Sequence, residues 1–117
     1  MDSHDKQILS KILSHTDAII EYCIHCSDSS EFLKDKMLVE ACVFNLMQIG
    51  EIAKTELSEE TKSQISTIPW IQLYGLRNRI VHGYSGIDMR IVWDTIHDDI
   101  PKLRKQLKFY LNNSEVQ

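Results

Sequence analysis

The sequence is poor in the residues that interrupt helices, since only four of its 117 residues are glycine and two are proline. It also lacks the period-two alternation of apolar and polar residues that predicts a half-buried strand. Its longest uncharged run, 63–76, is too short to cross a bilayer, because a spanning helix takes about 20 apolar residues. These absences predict long helices in one small domain, with no membrane as a partner.

Cysteine is scarce too, and an odd number, three, argues against a disulfide framework. Cys23, His25 and Cys26 lie close together, but no second ligand pair follows at the spacing of zinc sites. We therefore expect small buried thiols, with no bound metal and no cofactor. The first residues, MDSHDKQILSK, lack the basic-then-apolar order of a signal peptide. A cytoplasmic protein is expected.

The net charge of −4 is unevenly distributed. Residues 1–57 carry ten Asp and Glu against five Lys and Arg, whereas residues 58–117 carry seven against eight. All four arginines lie between Arg77 and Arg104. This balance argues against tight nonspecific binding of nucleic acid, and we expect no DNA partner. It still permits a small, local phosphate site in the second half.

Apolar residues recur at three- and four-residue steps along the chain, which predicts an all-α fold. The first helix is predicted to cover about 22 residues, up to the polar run SDSSE at 27–31, and a second long helix follows. The pattern predicts a small up-and-down bundle of four main helices plus a short connecting helix. It would form a single domain over residues 1–117, with a frayed tail at about 112–117.

Local signals predict where the later helices begin and end. Ser58 is expected to cap the short connecting helix, and Pro69 suits the first turn of the third long helix. Gly83 would end that helix as a glycine cap. Asp88 is expected to cap the fourth helix, which Pro101 should kink or restart.

The stretch GLRNRIVHGY at 75–84 concentrates polar side chains between apolar segments. Arg77 and His82 are five residues apart, about 140° around an ideal helix, so their side chains would flank a groove. Arginine binds phosphate oxygens in a bidentate fork, and histidine transfers protons near neutral pH. Cleavage of RNA without a metal needs these two functions, because the 2′-OH is itself the nucleophile.

Spacing alone does not establish such a site. An Arg-x4-His pair arises by chance in roughly one sequence in six of this composition. On spacing alone, a solvated basic helix end with His82 as a cap is therefore the better interpretation. Other polar and aromatic residues also have plain structural explanations. Trp70 and Trp93 are predicted as core anchors, Glu51 either supports the cleft or is an exposed acid, and the remaining histidines are predicted at the surface: His4, His15, His25 and His97.

The context of the motif is more specific than its spacing. Within IPWIQLYGLRNRIVHGYSGIDMRIVWDTIHDDIPKL it reads Arg-Asn-x-x-x-His-x-Tyr, at Arg77, Asn78, His82 and Tyr84. Upstream, NLMQIGEIAKTELS contains Ile-Gly-Glu at 49–51. These stretches resemble the HepT branch of the HEPN superfamily, the helical toxins of prokaryotic toxin–antitoxin pairs. The resemblance extends over about residues 5–111.

This resemblance implies a fold, an activity and a partner. HEPN-like bundles of this kind form two-fold homodimers, in which two Arg-x4-His motifs share one cleft as a metal-independent endoribonuclease. By resemblance, His82 would be the acid–base catalyst, Arg77 would hold the scissile phosphate, and Asn78 would orient the pair. The substrate would be tRNA or mRNA, and the products would carry 2′,3′-cyclic phosphate and 5′-hydroxyl ends. The system would be a type VII toxin–antitoxin pair, whose minimal nucleotidyltransferase antitoxin transfers AMP from ATP to Tyr84.

The residues leave a second class of function open, a catalytically silent helical module that binds a nucleotidyltransferase or a nucleotide through the same patch. Dimerisation is favoured without the resemblance, because each motif supplies one imidazole whereas acid and base roles are easier to divide between two. A two-fold axis through the cleft would supply the second imidazole.

Overall fold

The computed structural model describes residues 2–83 and 88–116, with side chains up to 113. Every regular element in these ranges is helical, which confirms the predicted all-α bundle. The elements are α1 (Ser3–Tyr22), α2 (Ser29–Lys34), α3 (Lys36–Thr55), α4 (Glu59–Gln64), α5 (Trp70–Gly83), α6 (Met89–Asp94), a π-helical segment (Thr95–Asp99) and α7 (Ile100–Val116). Within the described ranges, no helix combines the length and apolar character that crossing a membrane takes.

Helix α3 is the centre of the bundle. Helices α1 and α5 both pack against it, and α1 also packs against α7. The predicted core anchors Trp70 and Trp93 are buried, and the Trp70 indole N–H donates to the carbonyls of Lys62 and Ile65. Fully buried aliphatic side chains fill the space between the helices: Leu9, Ile12, Ile19, Ile49, Val92 and Leu107.

Five helices begin at a side-chain cap, which satisfies a backbone N–H that has no partner inside the helix. The predicted caps Ser58 and Asp88 accept from the N–H groups of Thr61 and Arg90. Three further helices, α1, α2 and α3, begin at aspartates that do the same: Asp2, Asp28 and Asp35.

The first helix is shorter than the sequence predicts. It ends at Tyr22, and the following turn leaves Ile24 71% exposed although its spacing matched the apolar stripe. The polar run after it is not a plain connection, because Asp28 caps the short helix α2. Short polar side chains compete for backbone N–H groups, so this run, which was predicted only to end α1, also starts a new helix.

Glycine and proline mark helix ends and starts in the second half, as predicted. Gly83 is the last residue of α5, as predicted, but no glycine in the described ranges has a positive φ, so Gly83 does not adopt the left-handed conformation of a common glycine cap. Pro69 lies just before α5 and accepts from the Leu73 N–H. Pro101 is the second residue of α7, which begins at Ile100 directly after the π-helical segment, so the α-helix restarts next to this proline as predicted.

A buried carboxylate joins α1 to α4. Asp5 is 3% exposed and accepts hydrogen bonds from the hydroxyls of Ser58, at 2.5 Å, and Thr61. Burial opposes ionisation of Asp5, but these hydrogen bonds outweigh it and hold its pKa below the ordinary value of 3.8. The ionised carboxylate therefore belongs to the folded state.

We expect Asp5→Asn to lower the free energy of unfolding at pH 7 by about 1 kcal/mol, because the hydroxyls lose a charged acceptor. Since the folded-state pKa is depressed, the stabilisation is present above the unfolded-state pKa and is lost as the pH falls through the folded-state value. The gap between wild type and variant should therefore narrow below about pH 4. Urea unfolding at pH 7 and pH 3 measures it. Asp94→Asn, at an exposed site, is the control, and an equal gap at both pH values contradicts the prediction.

Candidate active site

The motif helix α5 is held against α3 at a very close backbone contact. A Cβ added at Gly50 of α3 would lie 2.6 Å from the Cβ of Arg77 and 2.8 Å from the carbonyl oxygen of Leu73. Only glycine permits this approach without a shift of the helices. The next residue of α3, Glu51, consequently faces the guanidinium of Arg77.

The guanidinium of Arg77 is fixed by two partners. Its Nη2 lies 2.6 Å from Oε2 of Glu51, and its Nη1 donates to Oδ1 of Asn78 at 3.0 Å. Its Nε is buried and has no hydrogen-bond partner among the described residues. The side chain is 23% exposed. The arginine is thus partly shielded from solvent and oriented by its neighbours.

His82 lies in the last turn of α5 and is exposed. Within the described part of the chain, no hydrogen bond or ion pair joins its ring to Arg77, in line with their predicted places on different sides of the helix. One chain therefore brings Arg77, Asn78 and Glu51 together and leaves the imidazole apart from them. The predicted modification site, Tyr84, lies outside the described residues.

A groove of about 610 Å³ runs between α5 and the continuous helix formed by α6, the π-helical segment and α7. Its apolar lining includes the buried side chains of Ile100 and Leu103. Two cations, Arg79 and Lys102, line it together with one acid, Asp99. This volume falls in the range of ligand-binding clefts. Arg79 lines the groove and lies on the motif helix α5.

Glu51 is the functional candidate that the sequence left undecided. Its ion pair with Arg77 joins it to the motif arginine, so it is not an isolated exposed acid. The signal in the sequence was its place directly after Gly50, but the close contact with α5 is a tertiary feature that the sequence did not show.

One histidine prediction is wrong. His15 is half-buried, and its Nδ1 lies 2.7 Å from Oδ1 of Asn45, whose amide donates to the Ala41 carbonyl. Asn45 is 8% exposed, and a buried amide needs partners. An asparagine amid the apolar residues of α3 was the signal for a polar partner on a neighbouring helix.

The cysteines lie away from the motif. The Sγ atoms of Cys23 and Cys42 are 3.5 Å apart, and all three thiols are free. Hydrogen bonding with Cys42 lowers the pKa of the Cys23 thiol, although partial burial acts in the opposite direction. Among the residues with described side chains, no group of three or more His, Cys, Asp or Glu is arranged to hold a metal ion.

Comparison with known proteins assigns the family. The family model described as "Ribonuclease HepT-like" matches residues 8–109. The chain is 36% identical over 107 residues to "Putative RNase TTE0752" of Caldanaerobacter subterraneus, covering 92% of this chain and 94% of the relative. It is 32% identical over 103 residues to "Putative RNase MJ1380" of Methanocaldococcus jannaschii, covering 88% and 93%. It is 35% identical over 74 residues to "Probable ribonuclease HepT" of Thermococcus cleftensis, covering 63% and 66%. No solved structure matches. The chain therefore belongs to the HepT-like ribonuclease family.

Proposed function

We propose that this chain is a metal-independent endoribonuclease, in which Arg77 holds the scissile phosphate and His82 transfers protons. The observation that carries the proposal is the orientation of the Arg77 guanidinium by Glu51 and Asn78. The exposed imidazole of His82 lies on the same helix as Arg77. Membership of a family whose relatives are named as ribonucleases supports it. Such a pair meets the two chemical needs of RNA cleavage, a cation for the phosphate and a group that moves protons.

The proposed reaction uses the 2′-OH of RNA as its nucleophile. A neutral imidazole takes the 2′-OH proton, the oxygen attacks phosphorus, and the bond from phosphorus to the 5′-oxygen breaks. The departing 5′-oxygen takes a proton, so the products carry a 2′,3′-cyclic phosphate and a 5′-hydroxyl. The guanidinium of Arg77 stabilises the additional negative charge that develops on the phosphate oxygens.

A homodimer is part of this proposal. The reaction needs a base and an acid, and one motif supplies a single imidazole, which forms no hydrogen bond or ion pair with its own Arg77 within the described residues. A second copy related by a two-fold axis would bring another His82 to the same cleft. Helix α5 supports this assembly, because its apolar side chains of Ile71 and Val81 are 83% and 46% exposed. Exposed apolar residues on one helix face are typical of interaction surfaces.

The reaction is tested with the wild-type protein and short RNA substrates in excess EDTA. We expect cleavage, with 2′,3′-cyclic phosphate ends detected by mass spectrometry. The matched control is the same RNA carrying a 2′-deoxy nucleotide at the cut position, which lacks the nucleophile. Cleavage of this control, or loss of all cleavage in EDTA, contradicts the mechanism.

We further propose that the protein is the toxin of a toxin–antitoxin pair and that a minimal nucleotidyltransferase silences it by adding AMP to Tyr84. Tyr84 belongs to the same motif as Arg77 and follows His82 by two residues. Phosphates added there would bring negative charge to the motif and compete with RNA for Arg77.

After co-expression with such a nucleotidyltransferase, we expect the intact mass of the wild-type chain to rise by whole AMP units and that of Tyr84→Phe to stay unchanged. The added charge accounts for loss of cleavage in the modified protein. Tyr22→Phe is the matched control, because Tyr22 is 48% exposed on α1. Modification that persists in Tyr84→Phe and disappears in Tyr22→Phe would place the site elsewhere.

A second candidate function is a binding module without catalysis. The groove between α5 and α7 favours it, because about 610 Å³ is enough for a nucleotide-sized ligand and requires no reaction. The second function replaces the first if the wild-type protein binds AMP or RNA but does not cleave RNA, either in EDTA or with added metal ions. The Arg79→Ala variant should then lose this binding.

A further inference from the structure

We infer that Glu51 is a positioning residue, which holds the guanidinium of Arg77 in the orientation that receives a phosphate. The inference rests on the proposed ribonuclease function and names a residue that acts on RNA only through Arg77. Glu51 is on α3 and Arg77 is on α5, so the contact fixes the arginine from a different helix than its own.

The geometry leaves the arginine oriented and still able to bind. A guanidinium has five N–H donors in a rigid plane. Nη2 forms an ion pair with Oε2 of Glu51 at 2.6 Å, and Nη1 donates one hydrogen bond to Oδ1 of Asn78 at 3.0 Å. Each terminal nitrogen carries two N–H groups, so at least one N–H on each is left for a further acceptor. Arginine uses two N–H donors when it binds two oxygens of a phosphate.

A structural role alone does not explain this arrangement. Glu51 is 39% exposed and Arg77 is 23% exposed, and ion pairs between partly exposed partners contribute little to stability. The close approach of α5 to α3 also requires a glycine, Gly50, inside α3, and a glycine inside a helix lowers its stability. An arginine that is already oriented, however, does not have to be ordered each time RNA binds, which raises the rate of a positioned reaction.

The charge of Glu51 has a second consequence. Its carboxylate partly neutralises Arg77 before substrate arrives, and a phosphate has to share the guanidinium with it. A glutamine at this position keeps an oxygen that accepts from Arg77 and removes the negative charge. Glu51→Ala removes both the contact with Arg77 and the negative charge, whereas Glu51→Gln removes the charge alone. The two substitutions therefore separate the effect of positioning Arg77 from the effect of the charge.

The test compares Glu51→Ala, Glu51→Gln and the matched controls Glu40→Ala and Glu40→Gln, because Glu40 is an exposed acid on the same helix. We expect kcat for RNA cleavage to fall about 10- to 100-fold in Glu51→Ala and to recover to within about 3-fold in Glu51→Gln, with a KM no higher than that of wild type. The Glu40 variants should match wild type. A kcat in Glu51→Ala within about 2-fold of wild type, or an equal loss in Glu51→Gln, overturns the inference.

A readout that needs no cleavage separates this inference from the proposed function. NMR of the arginine side-chain nitrogens reports how fast the Arg77 guanidinium rotates. Rotation should be slow in wild type and in Glu51→Gln, and fast in Glu51→Ala. If the wild-type protein proves inactive while this pattern holds, the positioning contact stands and the ribonuclease assignment fails. If Arg77 rotates equally slowly in Glu51→Ala, the positioning role of Glu51 is wrong whatever the activity.

Discussion

Replacing His82 by alanine is expected to lower kcat/KM for RNA cleavage by about 10²- to 10⁴-fold, the range that a positioned acid–base group contributes. Its ring is exposed at the end of α5 and supports no core contact, so the fold should survive the change. Single-turnover cleavage in EDTA measures the loss, and circular dichroism with a urea melt verifies that the variant is folded.

The matched control for this loss is His97→Ala. His97 is also exposed and lies on a helical segment outside the motif. Its Nδ1 is 2.9 Å from Oδ1 of Asp98. Its replacement should leave cleavage unchanged. A loss in His97→Ala equal to that in His82→Ala, or cleavage in His82→Ala within about 10-fold of wild type, would show that His82 does not transfer the protons.

Features of the fold that depend on neighbouring residues could be predicted from the sequence. Ser58 and Asp88 cap their helices as predicted, because a cap is a contact between a side chain and a backbone N–H two or three residues away. The burial of Trp70 and Trp93 also follows from their place on the apolar stripes. Such contacts are short in sequence, so a linear pattern contains them.

Contacts between side chains of different helices could not be predicted from the periodicity of the sequence. The pairs His15 with Asn45 and Glu51 with Arg77 join positions about 30 and 26 residues apart, and nothing in either segment alone specifies the other. The end of α1 was misjudged for a related reason, because Ile24 matches the apolar spacing but lies in the turn between α1 and Asp28, which caps α2. Helix existence could be predicted here, and contacts between helices could not.

The motif was identified in the sequence, but its environment was not. Spacing placed Arg77 and His82 on different sides of one helix, and the structure shows no contact between them in the described residues. What the sequence could not supply is the support of Arg77 from α3. That support depends on the close approach at Gly50, which therefore links the stability of the bundle to the geometry of the proposed site.

Gly50→Ala is expected to lower the free energy of unfolding by about 1 to 3 kcal/mol, as overpacking does in a tight contact. The new Cβ would lie 2.6 Å from the Cβ of Arg77 and 2.8 Å from the Leu73 carbonyl oxygen, and neither atom belongs to the flexible end of a side chain. Helices α3 and α5 must therefore separate, which draws Arg77 away from Glu51. Urea unfolding at a fixed protein concentration measures the cost, and an RNA cleavage assay should show a lower kcat in the same variant.

Gly75→Ala is the matched control, because Gly75 lies inside α5 and a Cβ added there meets nothing within 4 Å. Alanine is the better helix former by about 1 kcal/mol, so this variant should be at least as stable as wild type. A lower free energy of unfolding in Gly50→Ala together with an equal or higher one in Gly75→Ala would distinguish the effect of the close contact from that of helix propensity. If both variants gain stability, α3 and α5 tolerate a Cβ at Gly50, and the close approach does not set the position of Arg77.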